Sequence, residues 1–145
     1  MRTMEIQELL SLTIKNKASD LHLMVGLPPT FRIDGSLRYL TTYPALKSDD
    51  LETMIFSLLT PEQRELLLSN KELDFSFGFK GKTAQEAGRF RINAYFQKGT
   101  LSAALRFLAP GVRSLEELGL PKICHDFAKV KQGFVLGTGP RGHGK

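Results

Sequence analysis

The alternation between residues 89 and 107 limits what this chain can fold into more than any other feature of its sequence. Phe90, Ile92, Ala94 and Phe96 alternate with Arg89, Arg91, Asn93, Tyr95 and Gln97. After Lys98-Gly99, Leu101, Ala103, Leu105 and Phe107 alternate with Ser102, Ala104 and Arg106. A period of two over such a length describes strands with one buried face. A two-residue turn at Lys98-Gly99 joins them as a hairpin. Phe90 then meets Phe107, Ile92 meets Leu105, Ala94 meets Ala103 and Phe96 meets Leu101. Every apolar position faces an apolar one. A slip of one residue would turn the whole set toward water, so the register is determined.

The same register sets Arg91 directly opposite Arg106 on the polar face. Like charges opposed across a ladder are destabilising. One reading is that the two side chains splay into solvent, or that a nearby carboxylate such as Asp74 neutralises them. The other is an anion site, in which two guanidiniums on a rigid sheet clamp a phosphate in the manner of arginine fingers.

The segments before the hairpin supply a sheet and its cover. Residues 5–17 carry Ile6, Leu9, Leu10, Thr13 and Ile14 at helical spacing. Asp20–Val25 and Thr30–Ile33 read as strands. Asp34-Gly35 is a strong hairpin turn, and Ser36–Leu40 returns as a third strand. Ser48 is placed to cap a helix striped by Leu51, Met54, Ile55, Leu58 and Leu59. Thr60-Pro61-Glu62-Gln63 is a capping box with Pro at the first helical position, and it predicts a helix to about Asn70. Residues 73–79 alternate as a strand, and 80–88 read as an exposed loop. The fold class is therefore α+β, with an antiparallel sheet and flanking helices over residues 1–107. Residues 108–120 read as a linker holding one turn capped by Ser114 and Glu117 and closed by Gly119. Pro121 opens a helix to about Val130, at the start of a further domain, 121–145.

That last segment ends in Gly139-Pro140-Arg141-Gly142-His143-Gly144-Lys145, which spells GxxxxGK. The apolar run Gly133–Leu136 before it reads as a strand. A strand, then glycines, then Lys is the order of a phosphate-binding loop: backbone N–H groups wrap the phosphates and Lys neutralises charge. The hydroxyl that holds Mg²⁺ in such loops would belong to the residue after Lys145. Without a nucleotide-binding domain around it, the same stretch reads as a glycine-rich tail.

A net charge of +5 suits an anionic ligand and is too weak to argue for nucleic acid, and the chain has no run of Lys or Arg. A lone cysteine, Cys124, rules out an internal disulfide framework and fits a reducing cytoplasm. The N-terminus lacks an apolar signal region. No stretch approaches the roughly 20 apolar residues of a membrane span, so the sequence reads as a soluble protein. No cluster of His, Cys, Asp or Glu has metal-ligand spacing. His22 reads as a half-buried strand histidine bonded to a neighbour, and His125 and His143 stand alone.

Several motifs occur in order. They are Ala18-Ser19-Asp20-Leu21-His22-Leu23, Gly26-Leu27-Pro28-Pro29, Arg32-Ile33-Asp34-Gly35, Asp74-Phe75-Ser76-Phe77 and Arg89-Phe90-Arg91-Ile92-Asn93. Leu105-Arg106, Leu118-Gly119-Leu120-Pro121 and the terminal glycine loop follow. The series resembles the PilT family of type IV pilus retraction ATPases, within the secretion ATPase superfamily. The resemblance implies a PAS-like N-terminal domain followed by the first strand and phosphate loop of a RecA-like domain. It implies ATP and Mg²⁺ as cofactors, a cytoplasmic homo-hexamer, and partners in the pilus platform of the inner membrane. Arg91 and Arg106 match the family's arginines that reach toward the nucleotide. Gly139 to Lys145 match its Walker A loop, with Arg141 and His143 where the family carries small hydroxyl residues. ATP-driven rigid-body strokes of the ring would power retraction and twitching motility. These 145 residues alone are expected to be inactive, since the other catalytic motifs of the family lie beyond Lys145. A pilus-assembly or type II secretion ATPase of the same superfamily, and a non-catalytic PAS-like interaction module, stand as alternatives.

Overall fold

Local signals specify several elements without help from the rest of the chain. The Thr60 hydroxyl accepts from the Gln63 N–H at 3.3 Å, and the Gln63 side chain accepts from the Thr60 N–H at 3.1 Å. This capping box starts a helix at Pro61 and satisfies backbone donors that a helix N-terminus leaves unpaired. The two predicted hairpin turns have positive φ at both central residues. The values are +50° and +79° for Asp34 and Gly35, and +50° and +80° for Lys98 and Gly99. That is the type I′ geometry whose twist matches the flanking strands.

The computed structural model describes residues 4–81, 83, 86–111 and 114–139. The elements run α1 (Ile6–Lys15), β1 (Asp20–Met24), β2 (Thr30–Ile33), β3 (Ser36–Tyr39), α2 (Ser48–Phe56), α3 (Pro61–Asn70), β4 (Glu72–Lys80), β5 (Ala87–Gln97), β6 (Thr100–Leu108) and α4 (Ile123–Lys129). Strands β1 to β6 form one six-stranded sheet in the order β3-β2-β1-β6-β5-β4, antiparallel throughout. The α+β reading is correct. The chain divides into two units, Met1–Pro110 and Gly111–Lys145.

In the first unit the helices cover one face of the sheet. Ile6, Leu9 and Leu10 of α1, Leu51, Met54 and Ile55 of α2, and Leu67 of α3 share one core cluster with the inward strand residues. The hairpin register is as expected, with Phe90 opposite Phe107, Ile92 opposite Leu105 and Phe96 opposite Leu101. It extends into a row of paired residues across the sheet: Phe31, Leu21, Leu105, Ile92 and Phe75. All five are buried. Burying each such side chain is worth about 1.5–3 kcal/mol, whereas exposed ion pairs contribute little. The apolar row therefore sets the register, and the polar face must accept what that register brings together.

Three local expectations need correction. Ser48 is not the cap of α2. Lys47 holds that position without a side-chain bond, and the Ser48 hydroxyl donates instead to Glu52 Oε1 at 3.2 Å. The stretch 80–88 is shorter as a loop than expected, because β4 reaches Lys80 and β5 begins at Ala87. Within it Glu86 is buried: its carboxylate accepts from the Ser11 hydroxyl at 2.7 Å and lies 3.4 Å from Lys15 Nζ. Those partners sit on α1, far away in sequence, so local composition gave no sign of them. The strand expected at 133–136 does not form. Residues 134–139 have no regular structure, and Phe134 is 86% exposed. A strand exists by pairing, and among the described residues every sheet strand belongs to the first unit. In the second unit the Ser114–Glu117 capping box is present, with bonds of 2.8 and 3.2 Å, and Gly119 follows at φ +65°.

Phe90 packs edge-on to Phe79 and against Phe107, with ring centroids at 6.2 and 5.2 Å. Phe90→Ala is expected to cost about 3–5 kcal/mol through transfer and cavity terms, read as a lower urea midpoint at unchanged slope. Lys98→Asn should stabilise the fold by about 0.5–1 kcal/mol, read as a higher urea midpoint, because Asn tolerates the left-handed φ that Lys resists.

Candidate functional site

The face away from the helices carries the polar members of the same strands. A second row runs Arg32, Asp20, Arg106, Arg91 and Ser76, one residue out of phase with the apolar row. The next row on that face runs Thr30, His22, Ala104, Asn93 and Asp74. Arg91 and Arg106 are directly paired, as the sequence required, and two carboxylates neutralise them. Asp74 takes Arg91 in a two-pronged contact, with Nε at 3.2 Å from both oxygens and Nη2 at 2.5 Å from Oδ2. Asp20 takes Arg106 through Nε at 3.0 Å. Asp20, Asp74, Arg91, Asn93, Ala104 and Arg106 line a cavity of about 290 Å³.

The sequence pointed to Asp74 and missed Asp20. Alternation put Asp20 on the polar face of β1, but its partner Arg106 lies 86 residues away and is set by the pairing of β1 with β6. Asp20 also accepts from the Ser19 hydroxyl at 2.8 Å and lies 3.6 Å from Arg32 Nε. Its side chain is 11% exposed, against 44% for Asp74. Burial alone would raise the Asp20 carboxyl; the hydrogen bonds from Ser19 and Arg106, with the charges of Arg106 and His22, outweigh it and leave the group below the usual carboxylate range. The Arg91 hydrogen bond lowers Asp74 in the same direction, and Asp74 in turn raises Arg91.

His22 is half-buried as expected, but its Nε2 is enclosed and has no hydrogen-bond partner among the described residues. Burial pushes its pKa down. The Asp20 carboxylate opposes that shift, and the Arg32 and Arg106 guanidiniums reinforce it.

Of the phosphate loop, only Gly139 is among the described residues, and it is exposed. Pro140, Arg141, Gly142, His143, Gly144 and Lys145 lie outside them. No group of three or more His, Cys, Asp or Glu among the described residues has the arrangement of a metal site. No helix among them is long and apolar enough to cross a membrane.

In sequence and fold the chain resembles ATPases of type IV pili. No protein-family model matches the sequence, but individual relatives do. The chain is 38% identical over 142 residues to the type IV pilus retraction ATPase PilT of Pseudomonas aeruginosa, covering 98% of this chain and 40% of that protein. It is 32% identical to the type IV pilus ATPase PilU of the same organism, covering 98% of this chain and 36% of that one. A crystal structure of the pilus retraction motor PilT with bound ADP superposes with a TM-score of 0.79 at 37% identity, over 96% of this chain and 39% of the motor. Over nearly its whole length the chain is similar to PilT-type ATPases of type IV pili. It spans about two fifths of the length of the relatives it matches.

Because the His22 pKa is depressed, its neutral form favours the folded state. That contribution is complete above the ordinary histidine value and is lost as pH falls through that value toward the folded one. Thermal melts should therefore drop as pH falls from about 7 through the ordinary histidine value. In His22→Gln the drop over that window should be smaller, leaving mainly the carboxylate loss at lower pH. An identical pH profile in wild type and variant would exclude His22 as its source.

Proposed function

We propose that this chain is the N-terminal part of a hexameric ATPase that powers type IV pilus retraction. Arg91 and Arg106 act in it as arginine fingers on the terminal phosphate of ATP. The observation that carries the reading is the direct pairing of these two arginines on a sheet in a chain 38% identical to PilT. A sheet holds guanidiniums more rigidly than a loop does, and preorganised charge is what phosphoryl transfer needs.

In this reading residues 1–107 form a PAS-like domain, 108–120 a linker, and 121–145 the entry to a RecA-like domain. Gly139 to Lys145 would wrap the phosphates, and Mg²⁺ would be held by the hydroxyl that follows the loop. Two guanidiniums and the Asn93 amide, groups that suit a phosphate, line one cavity together with Asp20 and Asp74, and Asn93 Nδ2 donates to Glu72 at 2.9 Å. Bound ATP would supply the energy of phosphoanhydride hydrolysis. The chain's own contribution is to bring positive charge to the terminal phosphate as the N-terminal domains move against the motor domains. The ring would work in the cytoplasm against pilus platform components at the inner membrane.

The neutralisation of both arginines by Asp20 and Asp74 is the feature that favours the second reading, a non-catalytic interaction module. One experiment separates the two. In the full-length protein, Arg91→Ala/Arg106→Ala should lower ATP turnover by on the order of 10³-fold, with binding of a non-hydrolysable ATP analogue retained. Unchanged turnover would leave the arginines as structural partners of the two carboxylates and would sink the finger role.

A further inference from the structure

The two carboxylates hold their arginines in different ways. Asp20 is nearly enclosed, and groups from three places converge on it: the Ser19 hydroxyl at 2.8 Å, Arg106 Nε at 3.0 Å and Arg32 Nε at 3.6 Å. Pulling Arg106 away would leave a part-buried carboxylate short of a partner, which is costly. Arg106 bonds through Nε alone, so its two Nη groups have no hydrogen bond among the described residues. The pair formed by Asp74 and Arg91 is open to water, with side chains 44% and 65% exposed. Water can solvate both groups if they separate, so this bond breaks easily. Its geometry also matters: Asp74 occupies the Nε–Nη2 edge of Arg91, the fork that a phosphate would use.

Resting on the arginine-finger reading above, we propose that this cavity is an exchange site for a phosphate-class oxyanion. The incoming anion replaces Asp74 on Arg91, while Asp20 keeps Arg106 in place and leaves its Nη groups for the same anion. Asp74 is a built-in competitor that keeps Arg91 occupied until the anion arrives. Asp20 is a positioning residue that acts through Arg106. The charges within the cavity support this division. With both carboxylates engaged, both guanidiniums of the cavity are paired, and Arg32 beside Asp20 is a third positive group in either state. Once Asp74 swings away, the anion meets the freed fork of Arg91 and the Nη groups of Arg106, with Asp20 still paired.

The test is an NMR titration of the arginine Nε–Hε signals in the 145-residue chain. Orthophosphate and pyrophosphate are the probes, with chloride holding ionic strength constant. The Arg91 signal is expected to shift saturably as Asp74 is replaced, and the Arg106 signal to shift less, because Asp20 keeps its bond to Nε. Tighter binding of pyrophosphate would identify the terminal group of a polyphosphate as the natural occupant; equal binding would point to free phosphate. Asp74→Asn should tighten either probe by up to about fivefold, and Asp74→Glu should restore near-wild-type affinity. A merely structural Asp74 would produce neither change. Asp74 is exposed, so its variants test the idea without relying on Asp20→Asn, which risks the fold. The proposal fails if no saturable shift appears, if Asp74→Asn leaves affinity unchanged or weaker, or if Arg106 Nε moves before Arg91. Any of these results would leave the turnover test of the arginine fingers standing. Conversely, phosphate exchange in a protein whose Arg91→Ala/Arg106→Ala variant turns over normally would sink the finger role alone.

Discussion

The pairing of β5 with β6 is the constraint on which the rest of the first unit depends. Phe90, Ile92 and Ala94 face Phe107, Leu105 and Ala103, and the row through Ile92 and Leu105 continues to Leu21 and Phe31 on one side and Phe75 on the other. The helices add Leu9, Leu10, Leu51, Ile55 and Leu67 to that surface. Any shift of one residue in the hairpin would expose this set and bury Arg91 and Arg106. The arginines are opposed because the apolar side chains leave them no alternative.

Opposed guanidiniums are tolerable only with counterions, and the sheet provides two of different kinds. Asp20 stands between Arg32 and Arg106 on adjacent strands, is braced by Ser19, and is largely shielded from water. Asp74 reaches Arg91 from the edge strand β4 and is open to solvent. One partner is a fixture of the sheet interior and the other a surface contact. That asymmetry follows from where β1 and β4 lie in the strand order, since β1 is flanked on both sides and β4 on one.

The arginine pair admits two readings. Neighbouring guanidiniums on a sheet are compatible with a purely structural ion-pair network. The relatives include a pilus retraction ATPase, and the fold matches a motor structure that holds ADP; these likenesses are what favour the proposed finger role over the structural one.

Local sequence determined the features that depend on neighbours in the chain. The Thr60 capping box, the type I′ turns at Asp34-Gly35 and Lys98-Gly99, the β5–β6 register and the opposition of Arg91 to Arg106 were all legible, because each follows from periodicity or from side chains a few residues apart. Contacts between distant segments were decided only by the tertiary structure. Pairing β1 with β6 delivered Asp20 to Arg106 across 86 residues, and packing α1 near the end of β4 buried Glu86 against Ser11 and Lys15. The expected strand at 133–136 shows the reverse case. Its apolar run satisfies the local signal, yet an isolated run has no ladder to join, and strand formation is a property of the pair and not of the segment.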